Sequence, residues 1–255
     1  AARTTEKTKS VGFYHGIDAL RSYSRYFFEF YHFDLYFTST KYEAEQINIL
    51  KKYFKKSIPN VAEYSYLRDR LTKGNIKNTN KGLKNNGRKK QVLLFIPIMS
   101  MIRQNKLIEL NNYNAMYYSE WHTILIDYFS KRDDIKFVWK AYLQSPFNYD
   151  TIPSIIQDKN CSNIVFSTDS IGYWFHKVDR VLCDVPSTAF FEAIFSGLPV
   201  LSTINPKEVT LDEKFCDYLG SSLMQYSNFM EGISHVGDFL EGAASEYIVD
   251  LPKTK

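Results

Sequence analysis

The chain has 255 residues, 44% of them hydrophobic and 24% charged, which is enough apolar material for a packed core and too much for a disordered chain. With 11 Gly and 8 Pro it is neither collagen-like nor linker-like, and no apolar run reaches the roughly 18 residues that span a bilayer. Lys plus Arg exceeds Asp plus Glu by 32 to 28, too mild an excess to indicate a surface that tracks nucleic acid.

The first ten residues are polar and lack the apolar centre of a signal peptide, which points to a cytoplasmic protein or fragment. Cys161, Cys183 and Cys216 are too few and too scattered for a disulfide framework, and their odd number fits a reducing compartment. Cys183 sits in an apolar run and is expected to be buried. The basic residues are uneven. Lys73, Lys77, Lys81, Lys84, Arg88, Lys89 and Lys90 occur without an intervening acid, and Lys51, Lys52, Lys55 and Lys56 lie upstream. These read as a solvated linker and helix face, or as a patch facing anionic lipid or a polyanionic substrate.

Two blocks follow along the chain. Residues 1–71 form the first, 72–90 are a linker rich in Gly, Asn and Lys, and 91–255 form the second. In the first block, Val11 to Tyr14 is expected as a strand and Asp18 to Phe30 as a helix. Asp34 to Thr38 is expected as a second strand, followed by a helix from Lys41 to Phe54 capped by Ser39.

The second block alternates more regularly. Val92 to Ile98 is a near-continuous apolar run, as in a strand buried on both faces. Ala115 to Phe129 has helical spacing, Ile135 to Trp139 is a strand, and Ile152 to Gln157 is a short helix with Pro153 in its first turn. Strands at Asn163 to Phe166, Arg180 to Cys183 and Pro199 to Leu201 alternate with helices at Ser170 to Lys177 and Ser187 to Ser196, the last stopped by Gly197. Leu211 to Leu219 and Tyr226 to Ala244 read as helical. Strands and helices alternating at this pitch predict an α/β protein with Rossmann-like parallel sheets and flanking helices.

Such sheets bind ligands at the carboxyl ends of their strands, and those ends are polar here: Lys140, Ser167-Thr168-Asp169, Asp184 to Thr188, and Ser202-Thr203. Strand Arg180 to Cys183 runs through Asp184-Val-Pro-Ser187-Thr188 straight into a helix carrying Glu192. The free N–H groups and dipole at that helix start suit a phosphate or diphosphate, and Glu192, one turn in, suits a sugar hydroxyl pair. The plainer alternative is a Ser cap and a solvated Glu. Lys140 reads as a phosphate contact or a solvated strand-end lysine, and Asp169 as a cap for the next helix.

Phe166 to Ser170, Val178 to Asp184, Pro186-Ser-Thr188, Glu192-Ala193 and Gly197-Leu-Pro-Val200 follow one another in order. Together they resemble the C-terminal half of GT-B-fold glycosyltransferases, most of all the branch with CDP-glycerol glycerophosphotransferases and other surface-polysaccharide transferases. Gly12 to Gly16 and Asp34 to Ser39 resemble the closing part of that branch's N-terminal domain, so the likeness runs over most of residues 11–203. It implies a GT-B-like two-domain arrangement with a truncated N-terminal domain. Lys140 is followed by Ala-Tyr-Leu where many relatives carry His-Pro.

The resemblance implies a metal-independent transferase with no cofactor. It would move a sugar or glycerol-phosphate unit from a CDP- or UDP-type donor to a polysaccharide, teichoic-acid-like or lipid-linked acceptor. Lys140, Ser167, Thr168, Asp184, Ser187, Thr188 and Glu192 would line the donor site, and His15 would act as the base across the interdomain cleft. His32, His122, His176 and His235 have no partner at metal-ligand spacing and read as structural. Tyr14, Tyr26, Phe27 and Tyr31 are core residues or an acceptor groove. A lipid-linked acceptor would place the protein on the inner face of the membrane through its lysines. The other readings are a non-hydrolysing nucleotide-sugar epimerase and an inactive nucleotide-binding fragment.

Overall fold

The computed structural model describes residues 11–13, 34–38, 44–45, 48, 60–63, 90–97, 115–141, 152–209, 211 and 213–249. The chain divides into two units, Ala1–Ile76 and Lys77–Lys255.

In the first unit, β1 (Val11–Phe13), β2 (Leu35–Thr38) and β3 (Asn60–Glu63) form a parallel sheet in the order β1-β2-β3. The first two strands match the expected ones. The third was not read from the sequence, because Asn60-Val-Ala-Glu63 has too short an apolar run to signal a strand. Residues 44, 45 and 48 are helical. The expected helix at 18–30, most of that at 41–54, the four lysines at 51–56 and all of the linker but Lys90 lie outside the described residues.

The second unit is built on β4 (Gln91–Ile96), β5 (Ile135–Lys140), β6 (Ile164–Ser167), β7 (Arg180–Cys183), β8 (Val200–Ile204) and β9 (Leu223–Gln225), all parallel, in the order β6-β5-β4-β7-β8-β9. This is the doubly wound order, with its reversal between β4 and β7. The helices are α1 (Ala115–Phe129), α2 (Ile152–Lys159), α3 (Ile171–Phe175), α4 (Thr188–Phe195), α5 (Glu213–Leu219) and α6 (Phe229–Glu241). The sequence reading placed the helices closely and missed β9, whose three residues are too few to show a period.

Two-residue alternation sorts the strand side chains onto two faces. Leu93, Phe95, Phe137, Trp139, Leu182 and Leu201 pack with Trp121, Leu125 and Phe129 of α1 and Val236 and Phe239 of α6 in one buried core. Phe129 stacks on Phe137 with ring centroids 4.1 Å apart. Gly232 lets α6 approach α1 closely: a Cβ there would lie 3.1 Å from the Trp121 ring and 3.3 Å from Tyr226. The other face carries Leu94, Val138, Val181, Cys183 and Val200, on the side of α3 and α4. Cys183 is buried as expected, at 1% exposure, and burial pushes its thiol pKa well up.

Arg180 opens β7 beneath the end of α6. Its guanidinium donates to the carbonyls of Phe239 and Gly242 and so caps orphan acceptors with a charge of the favourable sign. Gly197 ends α4 in the left-handed region at φ 70°, where a Cβ is disfavoured. Among the described residues no helix is long and apolar enough to cross a membrane.

Candidate active site

The reversal of strand order opens a crevice at the carboxyl ends of β4 and β7, where Ile96 pairs with Cys183. The connections from those two strands run to opposite faces of the sheet, the arrangement in which doubly wound sheets take their ligands. Helix α4 begins just beyond this crevice. Ser187 is its N-cap, at φ −90° and ψ −178°, yet its side chain makes no cap hydrogen bond. The hydroxyl and the first-turn N–H groups are thus presented at the end of the sheet. Thr188 and Glu192 are four residues apart in α4 and share one face. Both are half-buried, while Ala189, Phe190, Phe191, Ala193 and Ile194 anchor the helix to the core.

Lys140 ends β5 beside Ser167, which ends β6. By alternation both project toward the α3/α4 face. Lys140 is buried, its ammonium donates to the Ala141 carbonyl, and burial lowers its pKa against an opposing pull from Asp169. A cation so placed gains from an incoming phosphate, which adds to the counter-charge of Asp169.

The Ser167 hydroxyl accepts from Trp174 Nε1 at 2.9 Å and from the Asp169 N–H at 3.1 Å, and lies 3.1 Å from Asp169 Oδ2, to which it donates. Its one donor and two acceptor positions are filled. Its direct service is therefore to fix Asp169 and Trp174. Thr168 is exposed at the same strand end. Ser170, and not Asp169, caps α3, accepting from the Tyr173 N–H at 3.2 Å.

Asp184 points the other way. It shares the face of Leu182, is 1% exposed, and accepts from Trp121 Nε1 at 3.0 Å. Its second oxygen lies 2.6 Å from His122 Nε2. His122 is itself buried, edge-on to Phe95 and Trp139. The pair ties α1 to the loop that leads into α4. Asp184 and His122 are 62 residues apart, and no spacing in the sequence announces their meeting. The structure thus separates the expected donor residues into two sets. Lys140 and Ser167 share the α3/α4 face, at the sheet end where Ser187, Thr188 and Glu192 begin α4; Asp184 braces the opposite face. His15 lies outside the described residues.

A tyrosine cluster closes the α1 side. Tyr117 Oη accepts from Asn205 Nδ2 at 3.0 Å, and Tyr226 stacks on Trp121 at 5.3 Å. Burial, with Tyr117 and Asp184 nearby, raises the Tyr226 phenol pKa far above its ordinary value. A phenol whose folded pKa is raised contributes stability below the unfolded value of about 10 that is lost at higher pH. Stability measured by urea unfolding should therefore fall as pH rises above about 10, and Tyr226→Phe should flatten that fall. An identical fall in the variant would contradict the assignment.

No protein-family model matches the chain, and no curated protein matches it. Solved structures do. UDP-GlcNAc 2-epimerase from Neisseria meningitidis, bound to UDP-GlcNAc, superposes with TM-score 0.54 at 14% identity, over 91% of this chain and 63% of that one. The α,α-trehalose 6-phosphate synthase of Burkholderia multivorans superposes with TM-score 0.51 at 9% identity, over 92% of this chain and 60% of that one. The fold is therefore that of GT-B, Rossmann-like proteins. The chain spans about three fifths of the length of these neighbours.

Proposed function

We propose that the chain is the nucleotide-binding portion of a transferase that moves a sugar or glycerol-phosphate unit from a CDP- or UDP-linked donor to a polysaccharide or lipid-linked acceptor. The observation that carries this reading is the start of α4 at the strand-order reversal. It offers the N–H groups of a helix's first turn, a Ser187 hydroxyl unused as a cap, and Glu192 on the face of Thr188 one turn further in. A diphosphate accepts hydrogen bonds from the first-turn N–H groups, and the helix dipole favours its charge. Lys140 adds a cation at the same sheet end. Glu192 accepts from a ribose hydroxyl pair, which fixes the nucleoside.

In the reaction the acceptor oxygen forms a bond to the transferred unit while the bond to the leaving nucleotide phosphate breaks. The negative charge that develops on that phosphate is stabilised by donors already oriented toward it. His15 is assigned as the base that takes the acceptor proton, on the resemblance of Gly12 to Gly16. The epimerase alternative is favoured by one observation, the likeness to UDP-GlcNAc 2-epimerase.

Calorimetric titration with UDP and CDP tests the shared part of both readings. One of the two should bind, and Glu192→Ala should weaken it by about 1–3 kcal/mol, the usual effect of leaving a buried polar partner unpaired. Equal affinity of variant and parent would remove Glu192 from the site. Incubation with UDP-GlcNAc then separates the two: accumulation of a 2-epimer selects the epimerase, and nucleotide release dependent on an acceptor selects the transferase.

A further inference from the structure

At the other end of the same sheet lies a cleft of about 750 Å³. It sits over the amino ends of β4 and β5, on the α3/α4 face. Its floor is Val92 and the buried Trp174, and its rim carries Lys90, Lys136 and Lys177. Among the described residues no Asp or Glu lines it. Lys136 and Lys140 are four residues apart in one extended strand, so the cleft is about 13 Å from the carboxyl-end crevice.

Two acids next to this region in sequence have partners of their own, and Asp134 also feels the charge of Lys90. Asp179 Oδ2 accepts from the Val92 N–H at 2.7 Å, and Asp134 holds Arg132 through two contacts of 2.8 Å. Asn163, on the cleft wall, donates to the carbonyls of Phe129, Arg132 and Ile135. Its role there is to join β6 to the turn before β5. What the cleft presents to a ligand is cationic and apolar. The Lys177 ammonium lies 3.5 Å from the centroid of the Tyr173 ring, which holds the charge at the rim. Lys90 is the last residue of the basic run seen in the sequence, a feature that the donor crevice does not use.

We propose that this cleft is a second binding site, separate from the donor crevice, for a phosphorylated sugar or polyol. Its phosphates meet the ammonium groups of Lys90, Lys136 and Lys177, and its carbon skeleton lies on Val92 and Trp174. Three cations around an apolar floor fit a ligand with more than one phosphate on a small carbon frame. Trp174 touches both ends of the sheet. Its ring lines the cleft, and its Nε1 donates to Ser167 beside Lys140. A ligand in the cleft therefore packs on the residue that orients the Ser167–Asp169 pair.

The test is calorimetric titration of the full chain with fructose 1,6-bisphosphate as probe and pyrophosphate as a comparison of similar charge. The bisphosphate should bind more tightly than pyrophosphate, because only it can use the apolar floor. Lys136→Gln and Lys177→Gln should each weaken it about tenfold, the effect of one lost charge-assisted contact. Both lysines are at least partly exposed, so the variants should fold, which circular dichroism checks. Lys131→Gln with Lys207→Gln, two exposed lysines elsewhere, should bind like the parent.

Equal binding of the two probes, an equal loss in the control variant, or unchanged affinity in Lys136→Gln would each overturn the proposal. So would a matching loss of UDP affinity in Lys136→Gln, which would place that lysine in the donor site. A parent chain that binds the bisphosphate and neither UDP nor CDP would overturn the donor reading and leave this one standing.

Discussion

Asp184→Ala is expected to cost about 3–5 kcal/mol of folding stability, because it leaves two buried hydrogen-bonding groups without their acceptor at about 1–3 kcal/mol each. The carboxylate is 1% exposed and its two oxygens meet Trp121 and His122. Without it, the indole N–H and the His122 imidazole both stay buried among Phe95, Trp139 and Tyr118 with no acceptor in their place. Alanine also leaves a small void between α1 and the β7–α4 loop. Asp184→Asn keeps the shape and one acceptor, so about 1–2 kcal/mol is expected for it. Urea unfolding of the three proteins measures both values. A loss below about 1 kcal/mol for the alanine variant would mean that the pair is not a brace.

The same residue shows where sequence reasoning reached and where it stopped. The alternation of apolar runs with amphipathic segments was sufficient to place β4 to β8 and their helices. Apart from β6, those strands are buried on both faces for most of their length, and the segments are punctuated by Pro153, Gly197 and the Ser187 turn. The strand-end rule led to the β7–α4 loop, but it treats every polar residue there alike. Counting alternate residues from Leu182 would have put Asp184 on the α1 face and Lys140 with Ser167 on the other. The partner of Asp184 was beyond reach, because His122 is a lone histidine on an apolar helix face and nothing local distinguishes it from a core residue. The saturation of the Ser167 hydroxyl was equally hidden, since it depends on Trp174 turning back over the end of β6. The short strands β3 and β9 escaped because three or four residues carry no readable period.

His15→Ala should lower transfer by roughly 10²–10⁴-fold, the usual range for a general base. His15 follows β1, in the unit that does not contain α4, so nucleotide affinity should stay within about twofold of the parent, well under the tenfold that a lost 1.4 kcal/mol contact gives. Steady-state kinetics against donor, with calorimetry on the same preparations, separates the two quantities. A rate loss smaller than about tenfold would take the base assignment away from His15, and a parallel loss of nucleotide affinity would make the residue a binding group.

A nucleotide diphosphate seated on the start of α4 distinguishes a donor site from a plain helix cap. Amide hydrogen exchange with and without saturating UDP tests this most directly, because bound phosphate oxygens protect the N–H groups they engage. The predicted result is new protection confined to the carboxyl end of the second unit's sheet, at the amides of Val185 and 187–192 and the ends of β5 and β6, with the amino ends of β4 and β5 unchanged. Protection absent from 185–192, or appearing instead around Lys136 and Lys177, would contradict it.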